Sequence, residues 1–182
     1  GVDVLCDKPV ACCYSDALKM KEVMRRTGRK IMAYQPYRLC FDTLTARAIL
    51  DSGKLGNIFM IRRVCHNFSR RNDWQSLRAE GGGMLLNYGA HYIDQMFYLM
   101  HDSCADAVCR TCRVLSLGDA EDVVEAQITG HSGCLYSLDI NQAAADRPAV
   151  LALYGDLGSA FMRDDGDWDL RFCLCWGTVT RR

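Results

Sequence analysis

GVDVLCDKPVACC, residues 1–13, is a short apolar run halted by an acid, a lysine and a proline. Val2, Val4 and Leu5 read as a buried strand. Pro9 has no N–H to continue a ladder, so the strand stops there. The next stretch, YSDALKMKEVMRRTGRK at 14–30, has helical spacing: Ala17, Met20 and Met24 share a face, Ser15 is placed to cap the start and Gly28 to close the end. IMAYQPY at 31–37 is then a second strand running into Pro36. Strand–helix–strand over 1–35 is the connectivity of a parallel α/β sheet. Ligands of such sheets bind beyond the carboxyl ends of the strands, which makes Asp7-Lys8-Pro9 a candidate site. A solvent-facing turn would account for the same triplet.

Beyond this unit, Asp42 is placed to cap a second helix through TLTARAILDS, which Gly53 ends, and IFMIRRVCHNF at 58–68 is a long strand. A polar loop containing Trp74 leads to Gly81-Gly82-Gly83, and residues 84–100 form the clearest helix of the chain. From Ala107 onward, short runs of period two alternate with turn signals such as GDAED, GHSG and GDLG, the pattern of an antiparallel meander. The expected fold class is α+β: a remnant of a parallel α/β unit, then a domain with a mostly antiparallel sheet.

Composition narrows the function. Of 182 residues, 49% are apolar and 24% charged, with 22 basic against 22 acidic side chains. A neutral chain of ordinary globular composition gives no electrostatic reason to expect nucleic acid as a partner. No apolar stretch approaches the roughly 20 residues of a membrane span, so no membrane partner is expected either. Eleven cysteines, an odd number in a chain large enough to need no staples, predict buried reduced thiols and a cytoplasmic location. Cys109-x-x-Cys112 has half of a zinc spacing with no second pair, so no metal is expected.

On an α-helical wheel over 84–100, Asn87, His91, Asp94 and Tyr98 fall on one stripe beside an apolar stripe of Leu86, Ala90, Ile93, Phe97 and Met100. Polar groups at the rim of a core need partners from the protein or from a ligand. His91 there is a proton acceptor or donor in a polar pocket, or a core histidine satisfied by Asp94 or a carbonyl; the helix alone leaves both open. Gly89 inside the helix costs about 1 kcal/mol relative to alanine, which close approach of another backbone or a bound molecule would offset. Gly81–Gly83 permit a tight turn with exposed amides before the helix.

Taken in order, VLCDKPVA, AYQPYRL, AILDSGKLGNI and EGGGMLLNYGAHYID, with the later LALYGDLGSAF, resemble the glucose–fructose oxidoreductase/inositol dehydrogenase (Gfo/Idh/MocA) family of NAD(P)-dependent oxidoreductases, from residue 1 to about residue 163. The resemblance implies that residues 1–37 are the last part of a Rossmann domain and residues 38–182 a substrate-binding and oligomerisation domain. It places Asp7, Lys8 and Pro9 beside the nicotinamide, with Asp7 where glutamate is commoner, and Arg38 near the same crevice. Lys8 contacts cofactor and substrate, His91 is the base that takes the hydroxyl proton, and Asp94 is structural. Asn87 stands where the family has an acid; it can orient a hydroxyl but cannot ionise, as in relatives acting on nucleotide sugars. With Trp74 added, Lys8, Asn87 and His91 form the expected substrate-binding set.

No G-x-G-x-x-G follows any strand, so the pyrophosphate lacks its helix N-terminus and the chain as given is expected to bind NAD or NADP poorly. Gly1 reads as the start of a fragment, and the tail WDLRFCLCWGTVTRR lacks a clear match in the family. The expected function is oxidation of a hydroxyl, or the reverse reduction, on a sugar, cyclitol, related polyol or nucleotide sugar, in a homo-oligomer assembled through the antiparallel sheet. A non-catalytic domain serving assembly or substrate binding is the alternative.

Overall fold

The computed structural model describes residues 1–172. In chain order its elements are β1 (Val4–Cys6), α1 (Tyr14–Thr27), β2 (Ile31–Ala33), α2 (Phe41–Asp51), β3 (Ile58–His66), α3 (Ala90–Met100), β4 (Cys104–Cys112), β5 (Val123–Gly130), β6 (Leu135–Asn141), β7 (Leu151–Gly155), β8 (Gly158–Met162) and β9 (Trp168–Phe172). The predicted α+β class holds. β1 and β2 pair in parallel, Val4 opposite Ile31, across the crossover helix α1. The remaining strands form one seven-stranded sheet in the order β4-β5-β6-β3-β7-β8-β9.

Every pair in that sheet is antiparallel except β3 with β6. The strands after residue 104 are therefore not a plain meander. β3 inserts between β6 and β7, and the connection 142–150 is long enough to pass over it. Alternation places Val124, Ala126, Ile128, Tyr136, Leu138, Ile140, Ile61 and Leu153 on one buried face, against which α3 lays Tyr92, Met96 and Leu99. Burying each such side chain contributes about 1.5–3 kcal/mol, so this helix–sheet layer is the core.

Several local expectations give way to packing. Cys13, not Ser15, precedes α1, and Cys40, not Asp42, precedes α2; neither start has a side-chain cap. Gly28 does close α1, at φ 67°, its N–H donating to Met24 O at 2.9 Å. Val2, Val4 and Leu5 are not buried: Leu5 is 63% exposed, because two strands and one helix leave a sheet face bare among the described residues. Nor are the thiols generally buried. Of the nine described cysteines, all unpaired, Cys134 alone is buried, while Cys12, Cys13, Cys104 and Cys112 are exposed. Cys104 and Cys112 lie on the edge strand β4, open along almost its whole length. Cys173, Cys175 and most of the unmatched tail lie outside the described residues.

Candidate active site

The predicted helix 84–100 is two things. Leu85–Gly89 form a π turn, and α3 proper begins at Ala90. The extra residue of a π turn misaligns the i→i−4 ladder, and such turns recur at functional sites. Here the carbonyl of Asn87, within the turn, accepts a hydrogen bond from Lys8 Nζ at 3.1 Å. The same ammonium donates to Asn87 Oδ1, and Asn87 Nδ2 donates to Gln75 Oε1 at 2.9 Å. The π turn also changes the helix phase. Tyr92, Gln95, Met96 and Leu99 face the core, and His91 is buried at 7% exposure, not at the half-exposed rim that an unbroken α-helix predicts.

Gly89 is buried, but what approaches it is the Leu85 side chain: a Cβ there would sit 3.0 Å from Leu85 Cδ1. The glycines ahead of the turn are tightly bound. Gly82 N donates to Leu77 O and Gly83 N to Gln75 O, both at 2.9 Å, so the amides expected to be exposed are used internally. A Cβ on Gly82 would lie 2.5 Å from Gln75 O, which makes glycine obligatory where the loop folds back on the Trp74–Ser76 turn.

Lys8 stands just past the carboxyl end of β1, where the topology rule placed it, and Pro9 follows across a cis peptide bond. Burial of the ammonium lowers its pKa; nearby Asp7 pulls the other way, and Arg71 adds to the lowering. Asp7 Oδ1 accepts from the Lys8 backbone N–H at 2.8 Å, tightening the turn. Burial also lowers the pKa of His91, and the Lys8 charge pushes it the same way against Asp7 and Asp94. The neutral ring therefore prevails at pH 7, the state a proton acceptor requires.

Asp94 does not satisfy the imidazole; a side-chain carbonyl does, on one edge. Its Nδ1 lies 2.8 Å from Gln35 Oε1, and the Tyr37 ring stacks on it at 4.8 Å between centroids. Asp94 instead takes a two-pronged ion pair from Arg38, at 2.8 Å from Nε and 2.6 Å from Nη2, which raises the Arg38 pKa. Lys8, Asn87 and His91 thus come together. Arg38 lies apart from them, on a cleft of about 620 Å³ that it lines with Gln35, Asp94, Tyr98 and the end of β2. Trp74 is 56% exposed, and its neighbour Gln75 makes the contact to Asn87.

Sequence reasoning passed over Gln35 and Gln75. Gln35 carries a readable signal, since a residue before proline is kept out of the helical region and held extended. Gln75 carries none, because its role depends on a loop folding back.

A family model described as the GFO/IDH/MocA C-terminal domain matches residues 43–161. Inositol 2-dehydrogenase 2 of Saccharopolyspora erythraea is 28% identical over 164 residues, covering 87% of this chain and 47% of that protein. D-glucoside 3-dehydrogenase of Escherichia coli is 29% identical over 104 residues, 55% of this chain and 29% of that one. The crystal structure of an NAD-binding protein from Listeria innocua superposes on 92% of this chain and 49% of its own, with a TM-score of 0.84 and 24% identity, a likeness of fold. In each case the chain spans less than half of the relative's length. With the family model matching well over half of its residues, and the strand-end lysine meeting the glycine-preceded histidine helix, the chain belongs to the GFO/IDH/MocA family.

Proposed function

We propose that this chain is part of an NAD(P)-dependent oxidoreductase that oxidises a hydroxyl of a sugar, cyclitol or nucleotide sugar, or reduces the matching carbonyl. The observation that carries it is the meeting of Lys8, Asn87 and His91, from segments 79 residues apart, past the carboxyl end of β1. The residues fit the nicotinamide end of a dinucleotide: a partly buried ammonium at a parallel strand's end with Asp7 and Pro9 beside it, and Arg38 on the separate cleft that Gln35 also lines, as the groups to hold it. Among the described residues no glycine-rich loop follows a strand to seat the pyrophosphate. Bound nicotinamide supplies the hydride acceptor. In this reading residues 1–37 are the cofactor side and 38–182 the substrate side.

The chain's own groups divide the remaining work. Lys8 donates to the substrate oxygen and stabilises negative charge developing on it. His91, neutral at pH 7, takes the hydroxyl proton. The amide of Asn87 is engaged at both ends, so it orients Lys8 and offers the substrate only the second lone pair of Oδ1. A homo-oligomer through the outer sheet face is part of the same reading. Met60 pairs with Leu135 and Tyr154 there, Phe59 packs 6.4 Å from the Tyr154 ring, and Phe59 and Leu135 remain exposed.

The test is NAD(P)H formation by the full-length protein on a panel of sugars, inositols and nucleotide sugars. His91→Ala is expected to lower kcat/KM on the active substrate by about 10²–10⁴-fold. A full-length protein that binds NAD(P)H but oxidises none of the panel supports the assembly-domain alternative, and unchanged turnover in His91→Ala removes the histidine from the chemistry.

A further inference from the structure

The imidazole of His91 is held on one edge only. Its Nδ1 meets Gln35 Oε1, its face meets Tyr37, and no hydrogen-bond partner for Nε2 occurs among the described residues. Which nitrogen carries the proton then depends on which way the Gln35 amide points. Two features fix that direction. Gln35 precedes Pro36 and sits outside the helical region, at φ −117° and ψ 75°. Its Nε2 donates to Ala90 O at 3.3 Å. Turning the amide over would set Oε1 against that carbonyl, two acceptors face to face, so Oε1 stays toward the ring. An amide oxygen can only accept, and Nδ1 must therefore carry the hydrogen.

We propose that Gln35 is a positioning residue that holds neutral His91 as the Nδ1–H tautomer, so that the Nε2 lone pair is the one presented to a substrate hydroxyl. The proposal rests on the dehydrogenase reading for its purpose but not for its test. In the proton step, the hydroxyl proton moves to Nε2 and Nδ1 keeps its own, still donated to Gln35. Because Gln35 is neutral, the imidazolium so formed has no carboxylate bonded to it. The charged groups around it are Lys8 and Asp7 from the β1 turn and Asp94 on its own helix, with Arg38 already spent on Asp94. The ring thus stays a free base at neutral pH and sheds its proton readily. A carboxylate at position 35 would fix the same tautomer but would hold the proton more tightly.

The experiment is ¹⁵N NMR of histidine-labelled protein without substrate or cofactor, with the His91 signals assigned by their loss in His91→Asn. Above the His91 pKa, at about pH 8, Nδ1 is expected at the protonated position and Nε2 at the unprotonated one. Gln35→Leu is expected to return the ring to the Nε2–H form that free histidine prefers. Gln35→Glu is expected to keep Nδ1–H and raise the His91 pKa by about one unit or more. An Nε2–H ring in the unaltered protein overturns the proposal, as does an unchanged tautomer in Gln35→Leu. If the leucine variant does not fold, an unmoved His91 titration in Gln35→Glu overturns it instead. An Nδ1–H ring in a full-length protein that oxidises nothing would sink the dehydrogenase reading alone, and an Nε2–H ring in an active enzyme would sink the Gln35 assignment alone.

Discussion

Asn87→Asp replaces one NH₂ by oxygen and turns the neutral acceptor on Lys8 Nζ into a carboxylate. Two unit charges about 3 Å apart attract by about 1.5 kcal/mol in water and about 5 kcal/mol at an effective dielectric of about 20. Lys8 is only partly buried, so the lower end applies: about 1–2 kcal/mol, or about one pKa unit. Burial holds the Lys8 pKa below its ordinary value, and the new carboxylate moves it back up. The His91 imidazolium gains the same negative neighbour, so its lowered pKa also rises. Gln75 must turn its amide over to donate where Oε1 now accepts, a local change with no net loss of hydrogen bonds. Titration of both side chains by NMR reads these shifts directly, and in an active full-length protein the acidic limb of the kcat/KM profile, set by His91 acting as base, should move up in pH. If both pKa values stay put in Asn87→Asp, the Lys8–Asn87 contact is not made and the site as described is wrong.

Gly82→Ala drives a Cβ to 2.5 Å from Gln75 O and 2.7 Å from Leu77 O, both backbone, so the loop must shift. A cost of about 2 kcal/mol or more, read as a fall in Tm of about 4–8 °C, is expected, and an unchanged Tm would show that the loop has room. Asp102 accepts from Tyr136 Oη at 2.7 Å, from Ser132 Oγ and from Ser103 N at 2.8 Å; burial opposes these donors, yet they hold its pKa down to about 2. With the folded pKa depressed, its contribution is present above the unfolded value of about 4 and is lost as pH falls. Denaturation of the unaltered protein and of Asp102→Asn should differ at neutral pH and converge as pH falls through about 2; a gap independent of pH would contradict the assignment.

Much of the fold is legible in residues whose constraints are local. Gly28 ends α1 because a left-handed residue must, and Lys8 reaches a strand's carboxyl end because Pro9 cannot extend the ladder. What escapes sequence reading depends on distant partners. Period two reveals the strands after residue 104 but not that β3 divides them, since alternation carries no information about neighbours. The apolar β1 run signals a buried strand, and its exposure follows from a two-stranded sheet with one helix, which leaves a face bare among the described residues. The π turn is invisible to a wheel that assumes 3.6 residues per turn, and it sets how Asn87 is phased against α3 and which carbonyl meets Lys8. Lys8, Asn87 and His91 were readable through family resemblance, whereas Gln35 and Gln75, which hold two of them in place, follow only from side-chain geometry.

The most direct test is a double-mutant cycle on kcat/KM in the full-length protein, using Lys8→Met, His91→Ala and the pair. If the ammonium and the imidazole act on one oxygen in one proton-coupled step, either loss disables the step, and the double variant falls little below the worse single one. Losses that multiply, with the double variant slower by the product of the two single effects, would mean that Lys8 and His91 work apart.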